Sequence, residues 1–364
     1  MSVMISRGLA GARLAGAVAG AVIFAAAAFA AAVVGPAVFA AAVAGGGAVT
    51  DGGAVTDAGM ARAALAAPAA AAKARAAAPA VTCKPGLNSY DRTRFCFRVA
   101  VTVSVLRGSK AVGAVKFDLT HSFQLSSRSR DFTERITISD VRVTAAGSGV
   151  RLGLAVSCPR PCSAAGQFPP GGVIRPGASG VIHYRDAVPK GKADVAASRY
   201  VLSFTRAGDK PGGYSYRAPI SYRCDDELPG VPAGCVFPAY VPYFTAMRGL
   251  AGVIGNIKAA QHGPAHEGRP GSGHPLRRIT SPARQVANYN AVCARPAVGS
   301  PPRAGEVCDE YPFRSSTAGG TTMIRTNRHV AWVPAAQETA KNKALATFYL
   351  ASRVLNGDPF WVAP

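Results

Sequence analysis

The cysteines constrain this fold most, because all eight lie between residues 83 and 308 of the 364-residue chain. An even number of cysteines after an apolar N-terminal stretch is typical of a disulfide framework formed in an oxidising compartment. Pairing between sequence neighbours is the simplest of many possible connectivities. It predicts four bonds: 83–96, 158–162, 224–235 and 293–308. A metal site at the 158/162 pair is the alternative, but it lacks a matching second half.

The N-terminus has the pattern of an export signal over residues 1–44. Arg7 and Arg13 accompany a long Ala/Val-rich apolar run, and Ala42-Val43-Ala44 fits a small-residue cleavage site. The sequence therefore predicts a secreted protein. The run is long enough to span a bilayer, so an uncleaved N-terminal anchor is the alternative. Residues 45–80 are rich in Ala, Gly and Pro and predict a linker.

Apolar and polar residues alternate with a period of two across residues 81–235, which predicts β-strands. The pattern is clearest at residues 97–106. It recurs in several short segments, namely 115–119, 136–138, 152–156, 200–204 and 214–216. Short strands at this spacing, separated by Gly/Pro turns, predict a β-sandwich-like domain. His121 and His183 each stand alone within such strands, so we expect structural or exposed histidines and no catalytic constellation here.

Residues 236–364 have a different, mixed pattern, so the sequence predicts an α+β protein with a second domain. The segment at 236–275 carries aromatics and then a Gly/Pro/His-rich loop. A helix is predicted over 282–292, a strand over 321–333 and a helix over 335–355.

The net charge of +22 predicts attraction to polyanions such as nucleic acid, anionic cell-wall polymers or acidic lipid surfaces. High positive charge also keeps an exported protein soluble, so charge alone does not separate these interpretations. Its second consequence is that carboxylates are scarce, with 19 Asp+Glu against 41 Lys+Arg.

Asp309 and Glu310 form an adjacent carboxylate pair in this acid-poor chain. The pair follows Cys308 and precedes Tyr-Pro-Phe at 311–313. If a disulfide holds Cys308, the pair lies at the edge of a rigid element, where a general base or metal ligand is needed. A solvated acidic turn is the alternative from these residues alone.

Three motifs occur here in a recognisable order: Asn-Tyr-Asn at 288–290, Cys-Asp-Glu-Tyr-Pro-Phe at 308–313, and Asn-Gly-Asp-Pro-Phe-Trp-Val at 356–362. Together they resemble the NucA/NucB-type deoxyribonucleases, small secreted bacterial enzymes, over about residues 270–364. The resemblance implies a small α+β nuclease domain, with a ββα-metal-like core that holds one divalent ion, Mg²⁺ or Mn²⁺. It also implies DNA as the partner, contacted mainly through phosphates and with little sequence specificity.

The resemblance also assigns roles. The acidic pair is central to activity in the family, so Asp309 is expected to be the general base and Glu310 its support or a metal-linked partner. Relatives carry a Glu-Asn or Asp-Asn pair at the start of the following helix, whereas this chain carries Gln337-Glu338. The expected metal ligands are therefore Glu338, Gln337 and Asn342. An acid that complements the helix dipole is the alternative for Glu338.

Four basic side chains flank this predicted site and are expected to bind phosphates: Arg314, Arg325, Arg328 and Lys341. The sequence thus predicts a secreted, metal-dependent endodeoxyribonuclease with a β-rich accessory domain of unknown ligand. The alternative is a non-catalytic exported polyanion-binding or adhesion protein with a degenerate nuclease domain. The changed Gln337-Glu338 step favours the alternative, and the intact acidic pair favours the enzyme.

Overall fold

The computed structural model describes residues 2–6, 81–84, 86–293, 302–320 and 329–364. Strands dominate its first part: β1 Ser2–Ser6, β2 Ser89–Tyr90, β3 Arg94–Arg107, β4 Lys110–Ser126, β5 Ser129–Ala145, β6 Arg151–Ser157, β7 Cys162–Ala165, β8 Ser179–Asp186, β9 Ala193–Ala196, β10 Arg199–Thr205, β11 Gly212–Arg217, β12 Tyr222–Asp225 and β13 Gly234–Val236. A single 3₁₀ turn interrupts these strands at Pro170–Gly172.

The strands form one long sheet and two small ones. The long sheet has the order β1-β3-β4-β5-β8-β7, with β2 also paired to β3. The small sheets have the orders β11-β10-β6 and β13-β12-β9. In β4, Phe117, Leu119 and Phe123 are buried and polar side chains lie between them. The predicted period of two is therefore confirmed, because successive side chains of a strand point to opposite faces.

Aromatic side chains of the long sheet and of the β11-β10-β6 sheet share one hydrophobic core. The rings of Phe97 and Tyr200 lie 6.2 Å apart, and His121 stacks on Phe97 at 4.4 Å. His121 is fully buried, and its Nδ1 lies 2.6 Å from the Glu134 carboxylate. His121 is therefore a core residue held by hydrogen bonds, whereas His183 is exposed.

A buried carboxyl pair links β8 and β9. Burial and then the charge and hydrogen bond of Asp194 raise the pKa of Asp186 to about 6. The unfolded carboxyl titrates near about pH 4, so the folded state binds more protons between these values, and the free energy of unfolding falls as pH rises through this window. We expect Asp186→Asn to remove this penalty, so that its Tm rises relative to wild type between pH 4 and pH 7.

Thermal unfolding across this pH range tests the expectation, with Asp131→Asn as the control. Asp131 is exposed and pairs with Arg185 at 3.4 Å, so its loss should leave the pH dependence nearly unchanged. Equal pH slopes for wild type and Asp186→Asn would contradict the assignment.

The second part of the chain mixes helices and strands, and so confirms the α+β class. Its elements are β14 Tyr243–Phe244, α1 Ala251–His262, β15 Leu276–Arg277, α2 Pro282–Cys293, β16 Glu306–Tyr311, β17 His329–Pro334, α3 Ala335–Ala351 and β18 Pro359–Val362. The antiparallel pair β16–β17 leads directly into α3. The predicted helix at 282–292 is confirmed. The helix predicted over 335–355 ends early, at Ala351, and of the predicted strand at 321–333 only the part from His329 lies within the described residues.

Helix α1 was not expected from the sequence, because Gly252 and Gly255 lower helix propensity within its 12 residues. Its buried side chains include Val253, Asn256 and Ile257. Gly252 packs closely on β17, since a Cβ there would lie 3.1 Å from the Val333 side chain. Tertiary contact with β17 therefore stabilises a segment whose local sequence is a poor helix former.

All four predicted disulfides are present: Cys83–Cys96, Cys158–Cys162, Cys224–Cys235 and Cys293–Cys308. The last one ties the end of α2 to β16, beside the acidic pair. Among the described residues, no helix is both long and apolar enough to cross a membrane.

Two hydrophobic clusters, one from the first part and one from the second, lie within one compact unit. Buried arginines join them: Arg223 Nη1 donates to Asp358 at 2.8–2.9 Å, and Arg92 donates to the carbonyl oxygens of Ser352 and Arg353 at 2.7 Å. The division into domains at 235/236 stays a prediction, because these contacts cross it.

Arg353 falls within the helix predicted over 335–355, but the structure places it outside that helix. It lies beyond the end of α3, with φ of 45° and no exposed surface. Its guanidinium forms an ion pair with Asp225 and donates to the carbonyl oxygens of Ser127 and Pro232 at 2.9 and 2.8 Å. It therefore anchors the second part of the chain to the first instead of complementing a helix dipole.

Candidate active site

The acidic pair lies in β16 and is enclosed. Asp309 has no exposed surface and Glu310 is 2% exposed. Asp309 pairs with Ala331 of β17 across the hairpin, which holds its backbone in register. Because the Cys293–Cys308 bond fixes the preceding residue, the pair lies on a rigid element, as the sequence predicts.

Helix α3 brings a cation and a third carboxylate to this pair. Lys341 Nζ lies 2.5 Å from Asp309 Oδ1 and 2.8 Å from Glu338 Oε2. Glu338 and Lys341 are three residues apart, so they lie on the same face of the helix. The Lys341 side chain is only 1% exposed. Lys341, which was expected to flank the site and bind phosphates, therefore lies inside it.

Two amides complete the carboxylate contacts. Asn256 of α1 donates to Asp309 Oδ2 at 2.9 Å and to its carbonyl oxygen at 3.1 Å. Asn342 donates to Glu338 Oε1 at 2.8 Å. Asp309 and Glu338 thus each face one amide and the Lys341 ammonium group.

Glu310 has an oxygen left for a ligand, and unlike Glu338 Oε2, which also lacks a hydrogen bond, this oxygen has no ion pair with Lys341. Its Oε1 accepts the backbone N–H of Arg314 at 3.3 Å, but its buried Oε2 has no hydrogen-bond partner. A buried carboxylate oxygen without a partner is costly, so it marks a position where water or substrate can bind. Glu310 lines a cavity of about 310 Å³ together with Arg278, Arg314 and Asn342.

Burial and charge determine the protonation of these groups. Burial raises the pKa of Asp309 to about 6, although Lys341 acts in the opposite direction. Burial also raises the pKa of Glu310. For Glu338, burial alone would raise the pKa, but the charge of Lys341 and hydrogen bonds to its neighbours outweigh it, and the pKa is lowered.

Lys341 stays protonated in this environment. Burial alone would lower the pKa of its ammonium group, but the charges of Glu310, Asp309 and Glu338 outweigh that effect and raise it. A buried ammonium among carboxylates therefore remains a fixed positive charge.

The other predicted site residues are more scattered. Gln337 Oε1 accepts the backbone N–H of Gly252 at 2.9 Å, a contact that ties α3 to α1. Arg314 stacks over the Tyr289 ring at 5.0 Å and reaches Glu310 Oε1 at 3.8 Å. Arg325 and Arg328 lie outside the described residues.

A larger concavity, of about 790 Å³, lies on the long sheet, but its one carboxylate is already paired with an arginine.

Sequence reasoning missed two residues of this site, Asn256 and Arg278. Asn256 lies in the unexpected helix α1, so no local signal pointed to it. Arg278 stacks over the Tyr349 ring at 4.5 Å and lines the cavity. The Arg-Arg pair at 277–278 was visible in the sequence, but a basic dipeptide in a chain this basic carries little information.

Part of this region matches a known family. Residues 273–363 match the family model Deoxyribonuclease NucA/NucB. Among curated proteins and among solved structures, no significant match to the chain was found. The family match confirms the resemblance seen in the motifs and indicates a DNA-cleaving domain. We call residues 273–363 the NucA/NucB-like region.

The NucA/NucB-like region contains most of the site but not all of it. Asp309, Glu310, Glu338 and Lys341 fall within it, whereas α1 with Asn256 precedes it. The amide that holds Asp309 therefore comes from a segment outside the matched sequence.

The side chains as arranged do not fit the divalent ion that the family implies. Within the part of the chain that the structure describes, no group of three or more His, Cys, Asp or Glu side chains is arranged to hold a metal ion. The oxygens that face inward, Asp309 Oδ1 and Glu338 Oε2, already contact the Lys341 ammonium. A divalent ion about 4 Å from a unit positive charge is repelled by about 8 kcal/mol at an effective dielectric constant of about 20.

Proposed function

We propose that this protein is a secreted endodeoxyribonuclease that hydrolyses phosphodiester bonds of DNA, with little sequence specificity, in its NucA/NucB-like region. One observation carries the proposal. Glu310 lines a cavity together with Arg278 and Arg314, and one oxygen of its buried carboxylate has no hydrogen-bond partner. This cavity lies within the segment that matches a deoxyribonuclease family.

The cavity offers two of the groups that phosphodiester hydrolysis needs. A carboxylate accepts the proton of the attacking water, and fixed cations stabilise the charge that develops on the phosphoryl oxygens. Glu310 is suited to the first role, since burial raises its pKa. Arg278 and Arg314 are suited to the second. Contacts of guanidinium groups with phosphates carry no base information, which agrees with low sequence specificity.

The roles of the acidic pair then differ from those that the resemblance alone assigns. Asp309 has no exposed surface and contacts Lys341 and Asn256. In our proposal it positions β16, and Glu310 is the base. The assignment of Asp309 as general base stays a prediction. The variants Asp309→Asn and Glu310→Gln distinguish the two assignments of the base.

A requirement for Mg²⁺ or Mn²⁺ and a ββα-metal-like core around β16, β17 and α3 are also implied by the resemblance and stay predictions. The roles proposed for Glu310, Arg278 and Arg314 do not depend on such an ion. Secretion is part of the proposal because four disulfides are consistent with an extracellular protein. The predicted export segment and the anchored alternative lie mostly outside the described residues. The β-rich part is proposed as a sandwich-like accessory domain.

Incubation of the purified full chain with supercoiled plasmid tests the proposed activity. We expect nicked and then fragmented DNA without a preferred cut site. Parallel reactions with EDTA, and with Mg²⁺ or Mn²⁺ restored, test the metal requirement separately: cleavage that persists in EDTA contradicts that requirement but not the activity. No cleavage under any of these conditions, at equimolar protein, would contradict the proposed function.

A non-catalytic polyanion-binding protein is the second candidate, and one observation favours it. Lys341 forms ion pairs with two carboxylates of the site, which leaves less free negative charge for catalysis. This candidate predicts DNA binding that weakens steeply with salt, because a net charge of +22 displaces counterions from phosphates. Binding of that kind without strand cleavage would support it over the enzyme.

A further inference from the structure

The ammonium group of Lys341 lies where the carboxylates of the site converge. It contacts Asp309 Oδ1 at 2.5 Å and Glu338 Oε2 at 2.8 Å, and it also lies within 5.5 Å of the Phe313 ring centroid. The charge of Glu310 acts on it as well. A lysine that is 1% exposed and surrounded in this way has no access to DNA phosphates in this structure.

The oxygens around this ammonium are arranged as a cation site. Asn256 and Asn342 donate to the outer oxygens, Asp309 Oδ2 and Glu338 Oε1. The inner oxygens of the two carboxylates are left to face Lys341. Hydrogen bonds of this kind orient carboxylates around a bound ion in metal sites. Hard cations with oxygen ligands, such as Mg²⁺, Mn²⁺ and Ca²⁺, suit such a set of donors.

We infer that the Lys341 ammonium supplies the positive charge that these carboxylates would otherwise take from a divalent cation, and that removing it converts the cluster into a divalent-cation site. The inference rests on the proposed function, because it concerns carboxylates of the same site. Measurement of cation binding in the absence of DNA tests it independently. It also explains why a site with intact carboxylates does not fit the divalent ion that the family implies, because the Lys341 ammonium group already contacts the inner oxygens.

Mn²⁺ binding to three full-length proteins tests the inference, measured by electron paramagnetic resonance of free Mn²⁺ and by calorimetry. They are wild type, Lys341→Ala and the control Lys343→Ala, which removes an exposed lysine from the same helix. We expect Lys341→Ala to bind one Mn²⁺ per chain with affinity higher than wild type by roughly tenfold or more, because the carboxylate charge is released. Lys343→Ala should behave as wild type. Adding Glu338→Gln to Lys341→Ala should remove the gained site.

Folding is controlled with a second variant. Lys341→Met keeps an unbranched apolar side chain of similar length, so it separates loss of charge from loss of packing. If a Lys341 variant unfolds without metal, recovery of its Tm by Mn²⁺ but not by added NaCl of equal ionic strength supports the inference. Two folded Lys341 variants that bind no Mn²⁺ would overturn it. So would variants that stay unfolded with Mn²⁺ present, or a wild-type protein whose tight Mn²⁺ site is lost in Glu338→Gln.

The outcomes separate this inference from the proposed function. Gain of a Mn²⁺ site in the Lys341 variants, together with no plasmid cleavage by wild type, supports the inference about Lys341 and contradicts the proposed nuclease activity. Plasmid cleavage by wild type, together with no gain of Mn²⁺ binding in either Lys341 variant, supports the proposed nuclease activity and overturns the inference about Lys341.

Discussion

Replacement of Glu310 by Gln should lower the initial rate of plasmid cleavage by about 10²–10⁴-fold, the usual contribution of a general base. The side chain keeps its size, so the wall of the cavity and the contact with the Arg314 backbone N–H should persist. The wild-type rate should also fall as pH drops through the raised pKa of Glu310, because a protonated carboxyl cannot accept a proton from water. This pH dependence should be absent from the residual activity of the variant.

Two further variants serve as controls for that result. Glu306→Gln changes a partly exposed residue of the same strand, whose carboxylate accepts the Arg303 backbone N–H at 2.9 Å. It should cleave at the wild-type rate. Asp309→Asn distinguishes the two assignments of the base. A larger loss in Asp309→Asn than in Glu310→Gln, with both proteins folded, would return the role of base to Asp309.

Replacement of Arg353 by Ala should lower the free energy of unfolding by about 3–5 kcal/mol, because it breaks the buried ion pair with Asp225. The Asp225 carboxylate then keeps the weaker contact with Arg223 Nε at 3.4 Å. Asp225 and Arg353 both have no exposed surface. The variant also loses the contacts with the carbonyl oxygens of Ser127 and Pro232. The backbone of Arg353 adopts φ of 45°, an uncommon conformation for a residue with a side chain, and these contacts hold it there.

Denaturant unfolding under non-reducing conditions measures this effect. Arg284→Ala, which removes an exposed arginine from α2, should change the free energy of unfolding by less than about 0.5 kcal/mol. Since Arg353 lies in the NucA/NucB-like region and Asp225 in the β-rich part, a large loss would show that the two parts stabilise each other. A loss below about 1 kcal/mol would contradict the role of Arg353 as a buried anchor.

Local features of the chain were predictable because they depend on neighbours in sequence. The period of two at residues 97–106 is a property of any strand with one buried face, so β3 was evident before the fold was known. Short sequence separation also favoured the observed disulfides, such as Cys158–Cys162 with a separation of 4 residues. The position of the acidic pair followed from its motif.

Features that depend on packing were not predictable in this way. Helix α1 has two glycines, and its buried side chains and its contacts with Val333 and Gln337 stabilise it. Arg353 falls within the helix predicted over 335–355, and no local feature of the sequence marks it as buried. Its burial requires Asp225, which is 128 residues away in the chain and is brought close only by the fold.

By itself, the sequence determined the strands of the β-rich part, the pairing of the cysteines and the presence of the Asp309–Glu310 pair beside a disulfide. These follow from periodicity, short separations and a contiguous motif. Only the tertiary structure decided which cation the carboxylates face. Lys341 lies 32 residues from Asp309 in sequence, and a lysine in a chain of net charge +22 is expected at the surface. Its burial results from the way that α3 packs on β16, because charges buried together must neutralise one another.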